Sequence, residues 1–200
     1  MARYTGPKDR LSRREAFDLF GAGSKLTRVS VPPGMHGPKG TRRGPSEYGR
    51  QLREKQKVKR MYGVLEKQFR NYAQAALKKR GNTKDELVSL IERRLDNVIY
   101  RLGFIPTRPA ARQLVSHRHV LVNGKKANIP SYQVKAGDTI GISGIGMEIP
   151  SVKKLLAQKE TKVPEWLKKK GPVGMVVRNP KSDDLLEPIS LQDIIEFYSR

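Results

Sequence analysis

The chain has no cysteine, three histidines and a single tryptophan in 200 residues. Without cysteine there is neither a disulfide framework nor a thiolate-held zinc, and nothing points to an oxidising compartment. Long apolar runs are missing as well, and no stretch approaches the ~18 residues of a membrane span. The opening Met1-Ala2-Arg3-Tyr4-Thr5-Gly6-Pro7 lacks the apolar core of a secretory signal. Apolar residues make up 36% of the chain, below the ~45–50% of an ordinary globular protein, a range that also counts glycine. The scarcest commodity is negative charge.

Nineteen acidic residues face 41 basic ones, which leaves a net charge of +22. A small domain ordinarily carries a net charge of roughly 2–8 in magnitude. An excess this large calls for a polyanionic partner, and the abundance of arginine favours phosphate, which a guanidinium grips bidentately. The expectation is a soluble, cytoplasmic protein that binds nucleic acid. Residues 1–90 hold 22 basic and 8 acidic side chains, and the stretch from Lys39 to Arg70 is the densest, with 11 and 3.

Residues 1–45 show no sustained periodicity and are rich in Gly, Pro and Arg. The run Val31-Pro32-Pro33-Gly34-Met35-His36-Gly37-Pro38 excludes a regular helix. Only Arg14 to Phe20 reads as briefly helical. This region is expected to be an extended basic arm, ordered mainly by its partner. Ser46 is placed to cap a helix that runs to Tyr62 and stops at Gly63. Tyr48, Leu52 and Tyr62 would be its core side, while Arg50, Arg53, Lys57 and Arg60 would form a basic ridge on the other. A second helix carries Leu65, Phe69, Tyr72 and Ala76 on one stripe and stops at Gly81. Thr83 to Glu86 reads as a capping box for a third helix. Its stripe is Leu87, Ile91, Leu95, Val98 and Leu102, ending at Gly103. The aromatics in these stripes read as core rather than as platforms for bases.

The pattern then changes. Thr107 is placed to cap a short helix to Ser116, with Ala111, Leu114 and Val115 inward. Val120–Val122 reads as a strand, Asn123-Gly124 as a two-residue hairpin turn and Lys125–Asn128 as the return strand. Further strands are expected at Tyr132–Val134, Thr139–Ile142 and Gly174–Arg178. Helices are expected from a Ser151 cap to Gln158 and over Leu191–Tyr198.

Little in the chain suggests catalysis. His117 and His119 flank Arg118 with no third ligand at metal spacing, Asp138 reads as a turn residue, and Asp183-Asp184 reads as a solvated acidic pair. The segments around Gly21-Ala22-Gly23 and Gly144-Ile145-Gly146 lack the Lys-Ser/Thr of a phosphate loop. No enzyme activity, metal or cofactor is expected. The strongest constellation lies at 107–126. Thr107 and Arg108 open a helix whose terminal N–H groups suit a phosphate. Arg112 and Gln113 follow one turn on, His117, Arg118 and His119 close the helix, and the hairpin adds Asn123, Lys125 and Lys126. Together these would clasp a nucleic-acid backbone. The arm adds Arg3, Arg13, Arg14, His36, Arg42 and Arg43 as candidate nucleic-acid contacts, and the Lys39–Arg70 stretch adds Lys55 and Arg70.

The run Arg93-Arg94-Leu95-Asp96-Asn97-Val98-Ile99-Tyr100-Arg101-Leu102-Gly103-Phe104 is followed by Ala111-Arg112-Gln113-Leu114-Val115-Ser116-His117 and Val122-Asn123-Gly124-Lys125. With Pro130–Val134 and Gly137-Asp138, these resemble the bacterial small-subunit ribosomal protein S-four (S4) family. The likeness extends to Arg3-Tyr4, Pro32-Pro33-Gly34, His36-Gly37, Leu52–Lys57, Tyr62-Gly63, Gln68-Phe69-Arg70, Trp166 and Glu196–Arg200. That module alone also occurs in a tyrosyl-tRNA synthetase, in pseudouridine synthases and in a heat-shock protein, and the flanks separate this chain from them.

The resemblance implies an α+β fold. A helical domain, made of the basic arm, a small bundle (46–90) and the returning C-terminal helix (187–200), would carry an inserted α/β RNA-binding module at 91–186, with its core at about 93–155. It implies direct and early binding to 16S rRNA at the multi-helix junction of the 5′ domain. Protein S-five (S5), other small-subunit proteins and mRNA near its entry channel would be neighbours, with effects on decoding accuracy. Zinc-bearing relatives carry four N-terminal cysteines, and Asp9 and Ser12 stand in the places of the first pair. The arm would therefore be held without metal. Two other classes remain in view. A pseudouridine synthase would need a catalytic domain that residues 1–90 and 156–200 are too small and too basic to form, and a DNA-binding protein would need a base-reading helix that is not evident.

Overall fold

A computed structural model describes residues 4–21, 28–39, 44–158 and 163–199. The chain divides into two units, Met1–Arg80 with Glu187–Arg200, and Gly81–Leu186. The boundaries expected from the sequence are 45/46, 90/91 and 186/187.

In the first unit, helix α1 spans Lys8–Glu15 rather than Arg14–Phe20. Pro7 sets an extended entry, Asp9 lies in the first turn and Arg13 and Arg14 in the last, which matches the helix dipole. Ala16, at φ +49, turns the chain out, so the expected segment begins where the helix ends. The described part of the arm is thus partly regular and packs on itself. Leu19 and Ser12 are buried, the Leu19 N–H donates to Ser12 Oγ, and Arg13 donates to the carbonyls of Val31 and Pro32. Gly37 is required there, because a Cβ would fall 1.9 Å from the Pro32 carbonyl oxygen.

Helix α2 covers Glu47–Met61, with Ser46 Oγ accepting from the Gly49 N–H as the capping rule demands. Helix α3 covers Glu66–Lys78 and buries Phe69, Tyr72, Ala73 and Ala76, but Leu65 stands at its N-terminus, half exposed. The last helix, Leu191–Ser199, is labelled α9 because five others lie between α3 and it in the chain, and it packs on α2 and α3. Ile194 is fully buried among them, and Tyr48–Phe197 and Phe69–Tyr198 pair as rings. The inward side of α2 is only partly the one expected. Tyr62 is buried and Leu52 half-buried, but Tyr48 is 51% exposed, and Gln51, Lys55, Val58 and Met61 are buried. Gln51 Nε2 donates to Glu196 Oε2 at 2.9 Å, and this bond admits an amide where the stripe anticipates an apolar residue.

The Glu66 carboxylate joins three elements, accepting from Lys55 and Lys59 at 2.8 Å and from the Tyr198 hydroxyl at 2.9 Å. Partial burial alone would raise its pKa, but these three donors overcome it and hold the group at about 2, against 4.5. A depressed acid stabilises the fold above its unfolded pKa, and that contribution is lost as pH falls from 4.5 towards 2. The side chain is 45% exposed, so solvent screens the bonds and the effect is moderate. Glu66→Gln should therefore lower the urea midpoint at pH 7 and flatten its fall over that acid range. An unchanged acid limb would show that the carboxylate is not a latch between α2, α3 and α9.

In the second unit, the expected single helix is two, α4 (Thr83–Glu92) and α5 (Leu95–Arg101). Asn82, not Thr83, is the cap, accepting from the Lys84 N–H. The break comes at Arg94, whose extended backbone bridges to Gln133. The Leu95 and Asp96 N–H groups donate to the carbonyls of Tyr132 and Pro130. Tyr132–Val134, expected as a strand, thus spends its backbone on this joint and forms only the isolated bridge. All five stripe residues, Leu87 to Leu102, remain buried.

Helix α6 (Arg108–Ser116) precedes β1 (Val120–Val122), β2 (Lys125–Ala127) and β3 (Thr139–Ile142). A one-turn α7 (Gly144–Met147) and α8 (Pro150–Ala157) follow, and α8 begins after Ile149 instead of at a Ser151 cap. Strands β4 (Leu167–Lys170) and β5 (Val173–Val176) complete an antiparallel sheet of order β2-β1-β3-β5-β4. The sheet buries one face against the helices, around Trp166, Phe104, Leu95, Ile99, Leu102 and Ile140. Gly174 lies on that face. A Cβ there would meet Leu102 at 2.5 Å, so the strand passes close to α5 only as glycine. The acidic pair is not simply solvated. Asp184 accepts two bonds from Arg178, at 2.6 and 2.8 Å, and one from the Lys181 N–H.

Candidate nucleic-acid interface

The candidate interface of the second unit is built on α6. Thr107 is extended, and its Oγ1 accepts from the Ala110 N–H, while Pro109 sits in the first turn where no N–H is missed. Ala111, Leu114 and Val115 face the core, which leaves Arg112 half exposed and Gln113 exposed on the opposite side. Arg108 leans back across α5. Its Nε donates to Asn97 Oδ1 at 2.9 Å, and its guanidinium lies 4.4 Å from the Tyr100 ring centroid. Asn97 is oriented in turn by Glu92, which accepts from its Nδ2 through both backbone and side chain.

At the other end, Arg118 takes φ +61, the His119 N–H donates to the Leu114 carbonyl, and the chain reverses into β1 along the same core. His117 and Arg118 are exposed and His119 half-buried, with the two imidazoles 6.2 Å apart. Asn123 and Gly124, at φ +50 and +78, make the expected hairpin turn. Lys125 and Lys126 stand exposed on the return strand. The fold thus carries Thr107, Arg108, Arg112 and Gln113 at one end of α6, and Asn123, Lys125 and Lys126 on a hairpin of the same unit. Among the described residues no group of three or more His, Asp or Glu could hold a metal ion, and no helix is long and apolar enough to cross a membrane.

The ridge on α2 meets a different fate. Arg60 and Arg53 both turn to the buried Glu15 carboxylate of α1, which burial pushes above its ordinary pKa despite the two guanidinium groups. Arg50 pairs with Asp193 at 3.1 Å. Lys57 donates to the Pro188 carbonyl and lies 4.8 Å from the Phe17 ring. Lys55 is buried against Glu66, with Phe197 4.6 Å away. The spacing of these residues put them near one another, but internal partners claim them. Arg13 braces the proline loop, whereas Arg14, His36 and Arg70 are exposed. Arg3, Arg42 and Arg43 lie outside the described residues. Exposed cations outside the expected set include Lys8 and Arg10 on α1, Lys135 in the segment after the hairpin, and Lys168 and Lys170 on β4.

Residues 3–92 match the sequence model for the ribosomal protein S4/S9 N-terminal domain, and residues 93–140 match that for the S4 domain. The chain is 49% identical over 210 residues to small ribosomal subunit protein uS4 of Geobacter metallireducens. It is 47% identical over 203 residues to that of Akkermansia muciniphila, and 47% over 211 to that of Fervidobacterium nodosum. In each case 100% of both chains is covered. The chain belongs to the ribosomal protein S4 family. The family is structural and non-enzymatic, which disposes of the pseudouridine-synthase alternative. The S4 domain begins at Arg93, the residue at which α4 gives way to α5. It contains the whole of the α6–hairpin unit.

Proposed function

We propose that this chain is a structural constituent of the small ribosomal subunit, located in the cytoplasm. It would bind 16S rRNA directly, nucleate assembly at the 5′-domain multi-helix junction and, beside protein S5 and near the incoming mRNA, contribute to decoding accuracy. The observation that carries the RNA-binding part is the α6–hairpin unit. A capped helix N-terminus with Arg108 and Arg112, and a turn-bound strand with Lys125 and Lys126, present cations on two elements of one rigid core. A phosphate backbone is the partner that matches donors so arranged, because helix N–H groups and guanidinium both favour oxyanions. Arg14, His36 and Arg70 extend the proposed contact to the first unit, together with Arg3, Arg42 and Arg43. The ion-paired Lys55 contributes there through packing.

Binding to a transcript of the 16S 5′ domain should be tight and should weaken steeply with salt. Each phosphate contact adds roughly 0.7–0.9 to the log–log slope. Filter binding from 0.05 to 0.5 M salt (on the order of the range over which counterion release is read) measures it. A slope near zero, or equal affinity for duplex DNA of the same length, would overturn the RNA reading. Loss of accuracy in a reconstituted translation system lacking the protein tests the remainder.

A further inference from the structure

The hairpin wall contains a carboxylate in a place where charge alone would disfavour one. Asp138 is bonded to the turn of the hairpin that carries the exposed Lys125 and Lys126, and to the backbone of the exposed Lys135, on a surface proposed to meet phosphate. Its two oxygens are both engaged. Oδ1 accepts from Asn123 Nδ2 at 2.8 Å, and Oδ2 accepts from the Lys135 N–H at 2.7 Å. Asn123 completes the joint through Oδ1, which accepts from the Thr139 N–H at 2.9 Å, while its own N–H donates to the Thr139 carbonyl. Asp138 is fixed from behind as well. The Val176 N–H donates to its carbonyl, and the neighbouring Gly137 N–H donates to the Val176 carbonyl. A continuous line of hydrogen bonds therefore runs from β5 through Asp138 to the tip of the β1–β2 hairpin.

The hairpin needs such a line. Strand β2 is an edge strand of three residues, paired with β1 alone. Its two lysines are exposed and only Ala127 packs against the core, so packing holds it weakly. Short two-stranded ribbons are marginal in water, and lysines on a fraying edge would meet phosphate only after being ordered. Hydrogen bonds to an ionised acceptor are about twice as strong as neutral ones, which suits a carboxylate to the task despite its sign. We propose that Asp138, acting through Asn123, is a positioning residue that holds the Lys125–Lys126 hairpin in its RNA-binding place. The proposal rests on the reading of α6 and the hairpin as the RNA clasp.

The two possible roles of Asp138 predict effects of opposite sign. If it were only an acid in a basic field, Asp138→Ala would tighten RNA binding. As a positioning residue, its removal should weaken binding to the 16S 5′-domain transcript roughly fivefold or more. It should also flatten the salt slope, although no basic residue has been lost. Asn123→Gly supplies the second variant. Glycine keeps the positive-φ turn while deleting the clamp, and should give the same weakening and flattening with the full-length chain still folded by circular dichroism. In a cycle with Lys125→Gln/Lys126→Gln, the losses should be far less than additive. Unchanged or tighter binding by Asp138→Ala, or by Asn123→Gly where the former fails to fold, would overturn the positioning role. Should the lysine double variant itself bind normally, the clasp reading fails, whatever Asp138 does.

Discussion

Replacing Glu92 by leucine is expected to cost about 3–5 kcal/mol of stability, the usual result of breaking a buried ion pair by removing one partner. Its carboxylate is almost wholly enclosed at the end of α4, and Arg101 grips it with Nη2 at 2.6 Å and Nε at 3.0 Å. Asn97 adds a third donor at 2.7 Å. Leucine would leave the Arg101 guanidinium charged, buried and without that counterion, and would unseat the amide that orients Arg108. Against a total of about 5–15 kcal/mol for a folded domain, such a loss brings the unit near its threshold. Glu92→Gln retains an acceptor and should cost less. Urea unfolding of the full chain, with hydrogen exchange at α4 and α5 as a local readout, checks the order of the two variants. A leucine variant as stable as the parent would mean that hydrophobic replacement compensates here, as it does for some buried pairs.

What could be read from the sequence, and what could not, follows from where each feature gets its information. The Asn123-Gly124 turn, the Ser46 and Thr107 caps and the α6 stripe are decided within a few residues, so they appear in the string as in the fold. The α4–α5 break does not. The apolar period from Leu87 to Leu102 continues through it, because both helices bury the same side. Only the backbone around Pro130 to Gln133, remote in sequence, pulls Arg94 into an extended form. Strand β4 was invisible for a related reason. Leu167-Lys168-Lys169-Lys170 has no alternating apolar signature, and its place is set by register with β5. A lysine-rich edge of this kind also discourages pairing with other chains.

The candidate site divides along the same line. Helical spacing correctly put Arg53, Lys57 and Arg60 near each other, but spacing is blind to what arrives opposite. Glu15 comes from α1 and Pro188 from the segment before α9, and together they turn most of an apparent RNA ridge into internal bonds. Lys55 is the sharper case, since lysine is almost never fully buried unless paired, and its partner Glu66 lies on the next helix. In the α6–hairpin unit the partners are mostly local. There the cap, the helix and the hairpin turn stand where local spacing puts them, and what spacing does not show is the network behind them, from Glu92 and Asn97 to Arg108.

That network bears on the largest binding effect expected. Reversing Arg108 and Arg112 together to glutamate removes two cations from the first turns of α6 and sets two anions beside its N-terminal N–H groups. Truncating one partner of a desolvated charge pair typically costs 2–5 kcal/mol, so affinity for the 16S 5′-domain transcript should fall by roughly 10²–10³-fold or more at 0.15 M salt. The salt slope should drop by about 1.4–1.8, the share of two phosphate contacts. Arg108 also bonds Asn97 and stacks on Tyr100, so part of the loss could come through the fold. Two controls separate the effects. Arg112→Glu alone leaves that stack in place and should still weaken binding by at least about tenfold, the equivalent of ~1.4 kcal/mol. Arg108→Lys keeps the charge but not the planar fork, and should bind between parent and double variant. If the double variant binds within a factor of about two of the parent, less than ~0.5 kcal/mol, then α6 does not face RNA. The contact would then have to be sought among the exposed cations of the first unit.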